Sequence, residues 1–307
     1  MGMAIWGRVV LASALLASSG CAARAVYEDR DLDSGLHLSR AVPLSVSRPA
    51  PTRAQLERPV AIATHGFSST TWELEPLQAA LEARGVQVSP VTLGAHGVSL
   101  EAFEASDWQA WQAPLIAEYK ALRRQGYKKI SLVGHSTGAT LWLKALADRS
   151  LGTVPERMVF VAPLIEFAAP TRAIYYAAAL PAFGVEAVER PLYGKSVGRL
   201  YRFRPVSALT TLTDVTVQVR RRLKHGLALP AATKVLVVQG DQDGVVAPEG
   251  AKLLVDGLVG PEARLMMVGS WMHNPVGPDG IQGHDFTEPE AALRDRLLGA
   301  IADHLAE

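Results

Sequence analysis

The sequence predicts an α/β protein built on a mostly parallel, doubly wound β-sheet. Short apolar runs rich in β-branched residues recur along the chain, and longer stretches with a helical spacing of apolar residues separate them. Strands that alternate with helices in this way form parallel sheets covered on both faces. The chain has 307 residues, 49% of them hydrophobic, which is enough to bury one large core.

The beginning of the chain is predicted to be a signal peptide that spans residues 1–20. Arg8 precedes an apolar run at 9–17, and small residues then lead into Cys21. This run is too short to span a bilayer comfortably. The pattern therefore predicts export. Because Cys21 is the single cysteine of the chain, no intramolecular disulfide is expected.

The residues Ser18-Ser19-Gly20-Cys21 resemble the lipobox of bacterial lipoproteins, in which signal peptidase cuts before the cysteine and the thiol is acylated. Ser18 departs from the pattern, since leucine or a similar apolar residue is usual there. The resemblance implies a lipoprotein anchored to a membrane of a bacterial cell envelope through a lipid on Cys21. The alternative is an ordinary signal peptide with a free cysteine, and hence a periplasmic or secreted protein.

A tether is predicted between this leading segment and a folded domain at 59–307. Residues 21–58 are polar and contain several prolines, a composition typical of linkers. At most one short edge strand is expected in the tether, at about 42–46.

The first part of the folded domain shows the alternation of strands and helices most clearly. The predicted elements, in chain order, are a strand at 60–64, a helix at 70–84 that stops at Gly85, a strand at 86–91 and a helix at 108–124. A glycine-bearing turn follows each of the two strands.

An apolar strand that begins at Ile130 leads through a tight turn into a helix at 139–149, and Ser136 stands at this turn. The turn has the pattern G-x-S-x-G, in which a strained strand-to-helix connection lifts a serine hydroxyl above the sheet. Small neighbours are needed because the two backbones nearly touch, and Gly134 and Gly138 supply them. An ordinary glycine-rich turn is the alternative interpretation.

Three motifs together resemble the α/β-hydrolase fold, particularly its monoacylglycerol lipase-like and carboxylesterase-like branches: His65-Gly66-Phe67, Gly94-Ala95-His96-Gly97 and Gly134-His135-Ser136-Thr137-Gly138. The resemblance covers the chain from about Pro59 to the C-terminus. It implies that Ser136 is a nucleophile and that the backbone N–H groups of Phe67 and Thr137 form an oxyanion hole. Two such fixed donors stabilise the charge that develops on an ester carbonyl oxygen under attack.

Two of the histidines in these motifs lie close in sequence to the candidate site residues. His65 comes just before the oxyanion residue, and we expect it to brace that loop rather than to accept a proton. His135 adjoins the nucleophile in sequence but would point elsewhere on the elbow, so a structural role is expected for it too.

After a strand at 157–161 the alternation stops, and residues 165–230 are predicted to be a helical cap inserted into the fold. Aromatic side chains over the mouth of a pocket would favour an apolar acyl or aromatic substrate group, whereas the alternative is that they pack into the core of the cap. The cap contains seven of the fourteen Phe and Tyr residues of the chain: Phe167, Tyr175, Tyr176, Phe183, Tyr193, Tyr201 and Phe203.

The cap is also basic, with ten Lys and Arg residues against four acids, among them Arg220-Arg221-Arg222 and Lys224. A solvated face explains this charge most simply. If the domain is tethered to a membrane, the basic cap is expected to face anionic headgroups. The formal net charge of the whole chain is only +1, which gives no indication of nucleic acid binding.

A buried strand at 234–238 precedes the loop expected to carry the acid of a catalytic triad. In the family, this loop has a glycine, two residues, an aspartate, a valine pair and a proline, and that pattern selects Asp243. Asp241 is the alternative, because spacing alone does not separate two carboxylates so close together. The acid must orient a histidine and stabilise its protonated form.

The last predicted strand, at 264–268, leads into the loop with His273. This residue fits the base of the family and gives the chain order Ser, Asp, His. It would take the proton of Ser136 and return it to the leaving alcohol. His284 is a competitor, because it also lies in a glycine-bearing loop before the final amphipathic helix at 288–305.

These residues predict a serine hydrolase that cleaves a small-molecule carboxylic ester through an acyl-enzyme, without a metal or organic cofactor. The sequence does not separate a carboxylesterase, a monoacylglycerol lipase and a thioesterase, and it predicts no oligomeric state. An acyltransferase on the same fold is an alternative. A non-catalytic binding protein is another, although it would be expected to lack a member of the triad.

Overall fold

A computed structural model describes residues 41–190, 192 and 194–307. The predicted signal peptide, Cys21 and the first part of the predicted tether, residues 21–40, lie outside the described residues. Within the part that is described, no helix has both the length and the apolarity needed to cross a bilayer.

The core is a six-stranded sheet in which every pair of neighbouring strands is parallel. The strands, in chain order, are β1 (Val60–Thr64), β2 (Gln87–Val91), β3 (Ile130–His135), β4 (Arg157–Val161), β5 (Ala187–Glu189), β6 (Phe203–Pro205), β7 (Leu227–Ala228), β8 (Lys234–Gly240), β9 (Leu258–Val259) and β10 (Glu262–Val268). The large sheet has the order β10-β8-β4-β3-β1-β2, and β5 with β6 and β7 with β9 form two small pairs. The predicted fold class is confirmed.

Helices cover both faces of this sheet, which is why β1 and β3 are buried along their whole length and are mostly apolar. On one face, Glu75–Ala83 packs against the C-terminal helix Glu288–Ala306. The helices Trp108–Gln125, Thr137–Ala147 and Pro248–Gly257 lie on the other face. Two short helices precede the sheet, Leu44–Ser47 and Arg53–Glu57, and a third, Leu100–Glu104, follows β2.

The helix predicted at 70–84 is divided into two parts. A 3₁₀ turn at Thr71–Leu74 comes first, and the α-helix Glu75–Ala83 follows it. Pro76 explains the division, because proline fits the first turn of an α-helix but not its interior. As a result, Glu73 lies in a tight turn below the sheet edge and not on an exposed helical face.

The prediction of a short edge strand at about 42–46 is wrong, because this segment is helical. Leu44–Ser47 forms a single helical turn, which Pro43 precedes, and this turn packs on the domain. The hydroxyl of Ser89 accepts the N–H of Leu44 at 2.8 Å, and the buried carboxylate of Glu118 accepts the N–H of Ser45 at 3.0 Å. These side chains satisfy the polar backbone groups that a strand would otherwise have to pair.

Residues 165–230, predicted as a cap, lack the regular alternation of the rest of the domain. They contain a run of 3₁₀ turns at Ala169–Phe183, a 3₁₀ turn at Gly194–Ser196, the antiparallel pair β5 and β6, and the long helix Val206–Lys224. The long helix packs against Thr137–Ala147 and Pro248–Gly257. This insertion lies between β4 and β8, next to the carboxyl ends of the strands.

Candidate active site

The turn after β3 has the geometry of a strained elbow. Ser136 has φ 51° and ψ −114°, a combination that non-glycine residues rarely adopt. The neighbouring glycines allow the close approach that such a turn requires. A β-carbon on Gly134 would lie 2.6 Å from the backbone of Ala139, and one on Gly138 would lie 2.6 Å from Thr64 Oγ1.

Asp243, His273 and Ser136 form one chain of hydrogen bonds. His273 Nε2 lies 3.0 Å from Ser136 Oγ, and His273 Nδ1 lies 2.8 Å from Asp243 Oδ2. Because an ionised carboxylate can only accept, the fitting tautomer has its proton on Nδ1 and leaves Nε2 free to take the hydroxyl proton. The three residues follow β3, β8 and β10, whose carboxyl ends meet at the same edge of the sheet.

The surroundings of Asp243 favour its ionised form. Burial raises its pKa, but the charge and hydrogen bond of His273 lower it, and so do two backbone N–H groups. The backbone N–H groups of Val245 and Val246 donate to Asp243 Oδ1 at 2.7 and 3.1 Å. The net result is a pKa below the ordinary value for aspartate, which suits a group that must face a protonated histidine.

The two alternatives from the sequence have other partners. Asp241 Oδ1 accepts the N–H of Ser270 at 3.0 Å, so this carboxylate fixes the start of the loop that carries His273. His284 Nε2 lies 3.5 Å from Glu290, and its ring stacks on Trp271 with 41% of the side chain exposed. Neither residue hydrogen-bonds to Ser136 or His273.

The loop after β1 lies directly against the elbow. A β-carbon on Gly66 would meet Ser136 Cβ at 3.2 Å, and one on Gly138 would meet the carbonyl oxygen of His65 at 2.7 Å. These close approaches bring Phe67, which follows Gly66, near Thr137, which follows Ser136. Thr137 is the first residue of its helix, so its N–H has no acceptor within the helix.

His65 joins the oxyanion loop to the turn after β2. The N–H of Leu93 donates to His65 Nε2 at 3.0 Å, so the ring proton is on Nδ1, which donates to the carbonyl oxygen of Gly66 at 2.8 Å. Burial lowers the pKa of His65, and the neutral ring fits these two bonds. This geometry agrees with the bracing role expected for His65.

His135 points away from the Ser136 hydroxyl and binds a buried acid, Glu73. The distance from His135 Nδ1 to Glu73 Oε1 is 2.6 Å, and the two side chains are only 7% and 3% exposed. Burial would raise the pKa of Glu73, but the charge and hydrogen bond of His135 hold it at about 2. The sequence does not single out Glu73, because a lone acid within a predicted helix is typical of a solvated face.

The described aromatic side chains of the cap mostly pack into the main core of the domain. Phe167, Tyr201 and Phe203 are buried, and the Phe167 ring packs edge to face on Tyr175 at 5.0 Å between centroids. Tyr176 is 75% exposed. The side chain of Phe183 and the whole of Tyr193 lie outside the described residues. Packing therefore accounts for most of the described aromatic residues, but they pack against the body of the domain and not in a separate core of the cap.

Several basic side chains of the cap pair with acids. Arg220 lies 3.0 Å from Glu166, and Lys195 lies 2.6 Å from Asp279 and 3.1 Å from Asp285 in the loop before the last helix. The pair of Arg220 and Glu166 lies within the cap, whereas Lys195 joins the cap to the body of the domain. Within residues 41–190, 192 and 194–307, no group of three or more His, Cys, Asp or Glu side chains could hold a metal ion.

The sequence matches a family model described as serine aminopeptidase, S33 (Hydrolase_4) over residues 56–277, which is more than half of the chain. A comparison with curated proteins finds no match.

Solved structures with the same architecture include lipases. A structure from work on LipS and LipT, two metagenome-derived lipolytic enzymes, matches with a TM-score of 0.62 and 20% sequence identity, and the match covers 80% of this chain and 94% of that chain. A soluble variant of the Saccharomyces cerevisiae monoglyceride lipase, in complex with a substrate analog, has a TM-score of 0.62 and 15% sequence identity. The match covers 81% of this chain and 86% of that chain. The Paleococcus ferrophilus monoacylglycerol lipase has a TM-score of 0.54 and 13% sequence identity, and the match covers 80% of this chain and 94% of that chain. At these identities the likeness shows a shared fold.

Proposed function

The chain belongs to the serine aminopeptidase S33 family of α/β-hydrolases, and on this basis we propose that it is a serine esterase that hydrolyses carboxylic esters. The observation that carries the proposal is the hydrogen-bonded chain from Asp243 through His273 to Ser136 at a strained elbow. A nucleophile, a base that can reach its proton and an acid that orients the base are the groups that acyl transfer requires.

The first half-reaction forms an acyl-enzyme. Ser136 Oγ attacks the ester carbonyl carbon while His273 Nε2 accepts the hydroxyl proton, and the N–H groups of Phe67 and Thr137 donate to the oxygen that becomes negative. Asp243 stabilises the protonated imidazole. When the tetrahedral intermediate collapses, His273 returns the proton to the leaving alcohol, and the acyl group stays on Ser136.

The second half-reaction releases the acid. His273 takes a proton from water, the water oxygen attacks the acyl carbon, and the same two N–H groups stabilise the second tetrahedral intermediate. Its collapse returns the proton to Ser136 Oγ and frees the carboxylic acid. No step needs a metal ion or an organic cofactor.

The substrate we propose is a small ester with an apolar acyl group, either an acylglycerol or another short- or medium-chain ester. Apolar rings surround the oxyanion loop and support this choice. The Phe67 ring lies 5.4 Å from Phe103 and 5.7 Å from Trp111 between centroids, and cap residues Val206 and Leu209 pack on it. An acyl chain that lies along these groups would be removed from water.

The direct test is turnover of p-nitrophenyl esters of increasing acyl length by the wild type and by Ser136→Ala. The wild type is expected to release nitrophenol, and the variant is expected to lose the activity because no other nucleophile is placed beside His273. Analysis of products in the presence of glycerol or another alcohol separates hydrolysis from acyl transfer, and a thioester substrate tests the thioesterase alternative. Full activity of Ser136→Ala would exclude the acyl-enzyme.

We also propose that the protein is exported and anchored to a membrane of the cell envelope through a lipid on Cys21. The sequence of residues 1–21 supports this proposal, with its basic residue, apolar run and lipobox-like end. An anchor near the N-terminus would hold the domain close to lipid-derived esters.

A further inference from the structure

The buried pair of Glu73 and His135 takes no part in the chemical steps above. Its members come from different parts of the fold: Glu73 lies in the 3₁₀ turn Thr71–Leu74, and His135 is the last residue of β3. They meet beneath the candidate active site, with the rings of His135 and His273 5.0 Å apart between centroids. Burying two ionisable groups has a large desolvation cost unless the groups pair well and satisfy their remaining hydrogen bonds.

The partners of the pair fix its protonation state. His135 Nε2 lies 3.2 Å from the carbonyl oxygen of His273, which can only accept a hydrogen bond. Glu73 accepts the N–H of Gly66 at 2.7 Å on Oε1 and the hydroxyl of Ser69 at 2.5 Å on Oε2. An ionised Glu73 therefore requires a proton on His135 Nδ1 as well. Both ring nitrogens then donate, and His135 is an imidazolium ion.

The charges around the pair agree with this assignment. Burial lowers the pKa of His135, but the charge and hydrogen bond of Glu73 raise it more, so the net shift is upward. The pKa of Glu73 is held at about 2. Other charged or titratable groups lie around the pair on several elements: His65 after β1, His96 after β2, Asp243 after β8, His273 after β10 and Arg190 of the cap.

The pair touches each part of the candidate active site. Glu73 holds the N–H of Gly66, whose neighbour Phe67 would supply an oxyanion donor. His135 directly precedes Ser136, and its Nε2 holds the backbone of His273. The oxyanion loop, the elbow and the base therefore share one ionic anchor.

We propose that Glu73 and His135 are positioning residues, and that their ion pair aligns the oxyanion loop and the His273 backbone with Ser136 only while His135 carries both ring protons. This inference rests on the proposed function. It predicts a decrease in activity at alkaline pH that originates outside the triad. When His135 loses a proton, either Glu73 or the carbonyl oxygen of His273 faces a lone pair, and one of the two bonds is lost.

The expected pH dependence of kcat follows from the shifted pKa values of Glu73 and His135. The lowered pKa of Glu73 keeps it ionised throughout the range in which the enzyme is assayed. The raised pKa of His135 means that its contribution is complete below the ordinary value of 6.5 and is lost as the pH rises through the folded-state value. We therefore expect kcat to fall along an alkaline limb while circular dichroism still reports a folded domain.

The variants Glu73→Gln and His135→Asn test the proposal, with Glu118→Gln as the matched control. Like Glu73, Glu118 is a 3% exposed carboxylate bound by serine groups, but it has no histidine partner and lies far from Ser136 in the fold. Misplaced catalytic groups typically reduce the rate by about 100-fold, so we expect kcat to fall by about 10- to 100-fold in both test variants with little change in KM. Glu118→Gln is expected to lose stability but to keep kcat and its pH profile.

The pH profile separates positioning from general stability. Removal of the carboxylate charge in Glu73→Gln lowers the pKa of His135, so its alkaline limb is expected at lower pH than in the wild type. In His135→Asn no group titrates at this position, and the limb disappears. Wild-type kcat and an unchanged limb in Glu73→Gln would overturn the proposal.

A second measurement does not depend on the folding of the variants. Titration of the ¹⁵N-labelled histidines by NMR in the wild-type protein is expected to show His135 mostly doubly protonated at pH 6.5, whereas a mostly neutral ring there would overturn the inference. Labelling of the wild type by a fluorophosphonate tests the proposed function separately. If the wild type is not labelled, the proposed function fails, whereas labelling together with a neutral His135 rejects only the role of the pair.

Discussion

Gly138 lies so close to Thr64 that a β-carbon at position 138 would stand 2.6 Å from the Thr64 hydroxyl oxygen. The contact joins the first turn of the helix that follows Ser136 to the end of β1, where the oxyanion loop begins. Gly138 is therefore required, because the helix after Ser136 and the loop after β1 approach each other closely at this point. The same approach holds Phe67 near Thr137.

We expect Gly138→Ala to lower both activity and stability. Overpacking of this kind typically costs about 1–3 kcal/mol, and the displaced loop would carry its oxyanion donor away from Ser136. Thermal unfolding and ester turnover measure the two effects. Gly299→Ala is the control, because Gly299 lies in the final helix with nothing within 4 Å of its β-carbon position. That change is expected to raise the unfolding temperature, since alanine favours a helix by about 1 kcal/mol over glycine.

The two neighbouring aspartates are expected to respond differently to the same change. Asp243→Asn keeps the shape of the side chain but disfavours the required tautomer of His273, a type of change that can lower kcat on the order of 10⁴-fold. Asp241→Asn still offers an oxygen to the N–H of Ser270, so a loss below about tenfold is expected. Comparison of kcat for the two variants decides which aspartate is the acid. Equal losses would remove the assignment of Asp243.

The two candidate histidines give a similar contrast. His273→Ala removes the base and is expected to abolish turnover. His284→Ala removes only an exposed side chain that stacks on Trp271, so near wild-type kcat/KM is expected. If His284→Ala is inactive and His273→Ala is not, the assignment of His273 as the base is wrong.

The N-terminal segment makes a prediction about location. In a bacterial host, Cys21→Ala is expected to move the protein from the membrane fraction to the soluble fraction, because acylation of the thiol is lost. Mass spectrometry of the wild-type N-terminal peptide should show a lipid on Cys21. An unmodified Cys21 in a soluble protein would support the ordinary signal peptide instead.

Local patterns were sufficient to predict most of the fold and the turn that carries Ser136. The strands β1, β3 and β4 are mostly apolar, so their positions follow from composition. Ser136 stands in a motif that needs its two glycines for packing. Asp243 and His273 were selected by resemblance, since the sequence does not show which of two aspartates or two histidines faces the serine. The structure supplies that information as hydrogen bonds.

Other features depend on contacts that no local pattern contains. Glu73 is buried in its 3₁₀ turn because it pairs with His135, which lies 62 residues further along the chain. The segment at Leu44–Ser47 is helical because Glu118 and Ser89 bind its backbone from distant parts of the chain. In both cases the deciding partner lies far away in sequence.

The central claim is that Ser136 is the nucleophile of a covalent mechanism. Treatment of the folded protein with a fluorophosphonate, followed by peptide mass spectrometry, tests it most directly. We predict a single adduct on the peptide that contains Ser136, loss of esterase activity in step with labelling, and no adduct in Ser136→Ala. An active wild-type enzyme that stays unlabelled, or an adduct on another residue, would contradict the account.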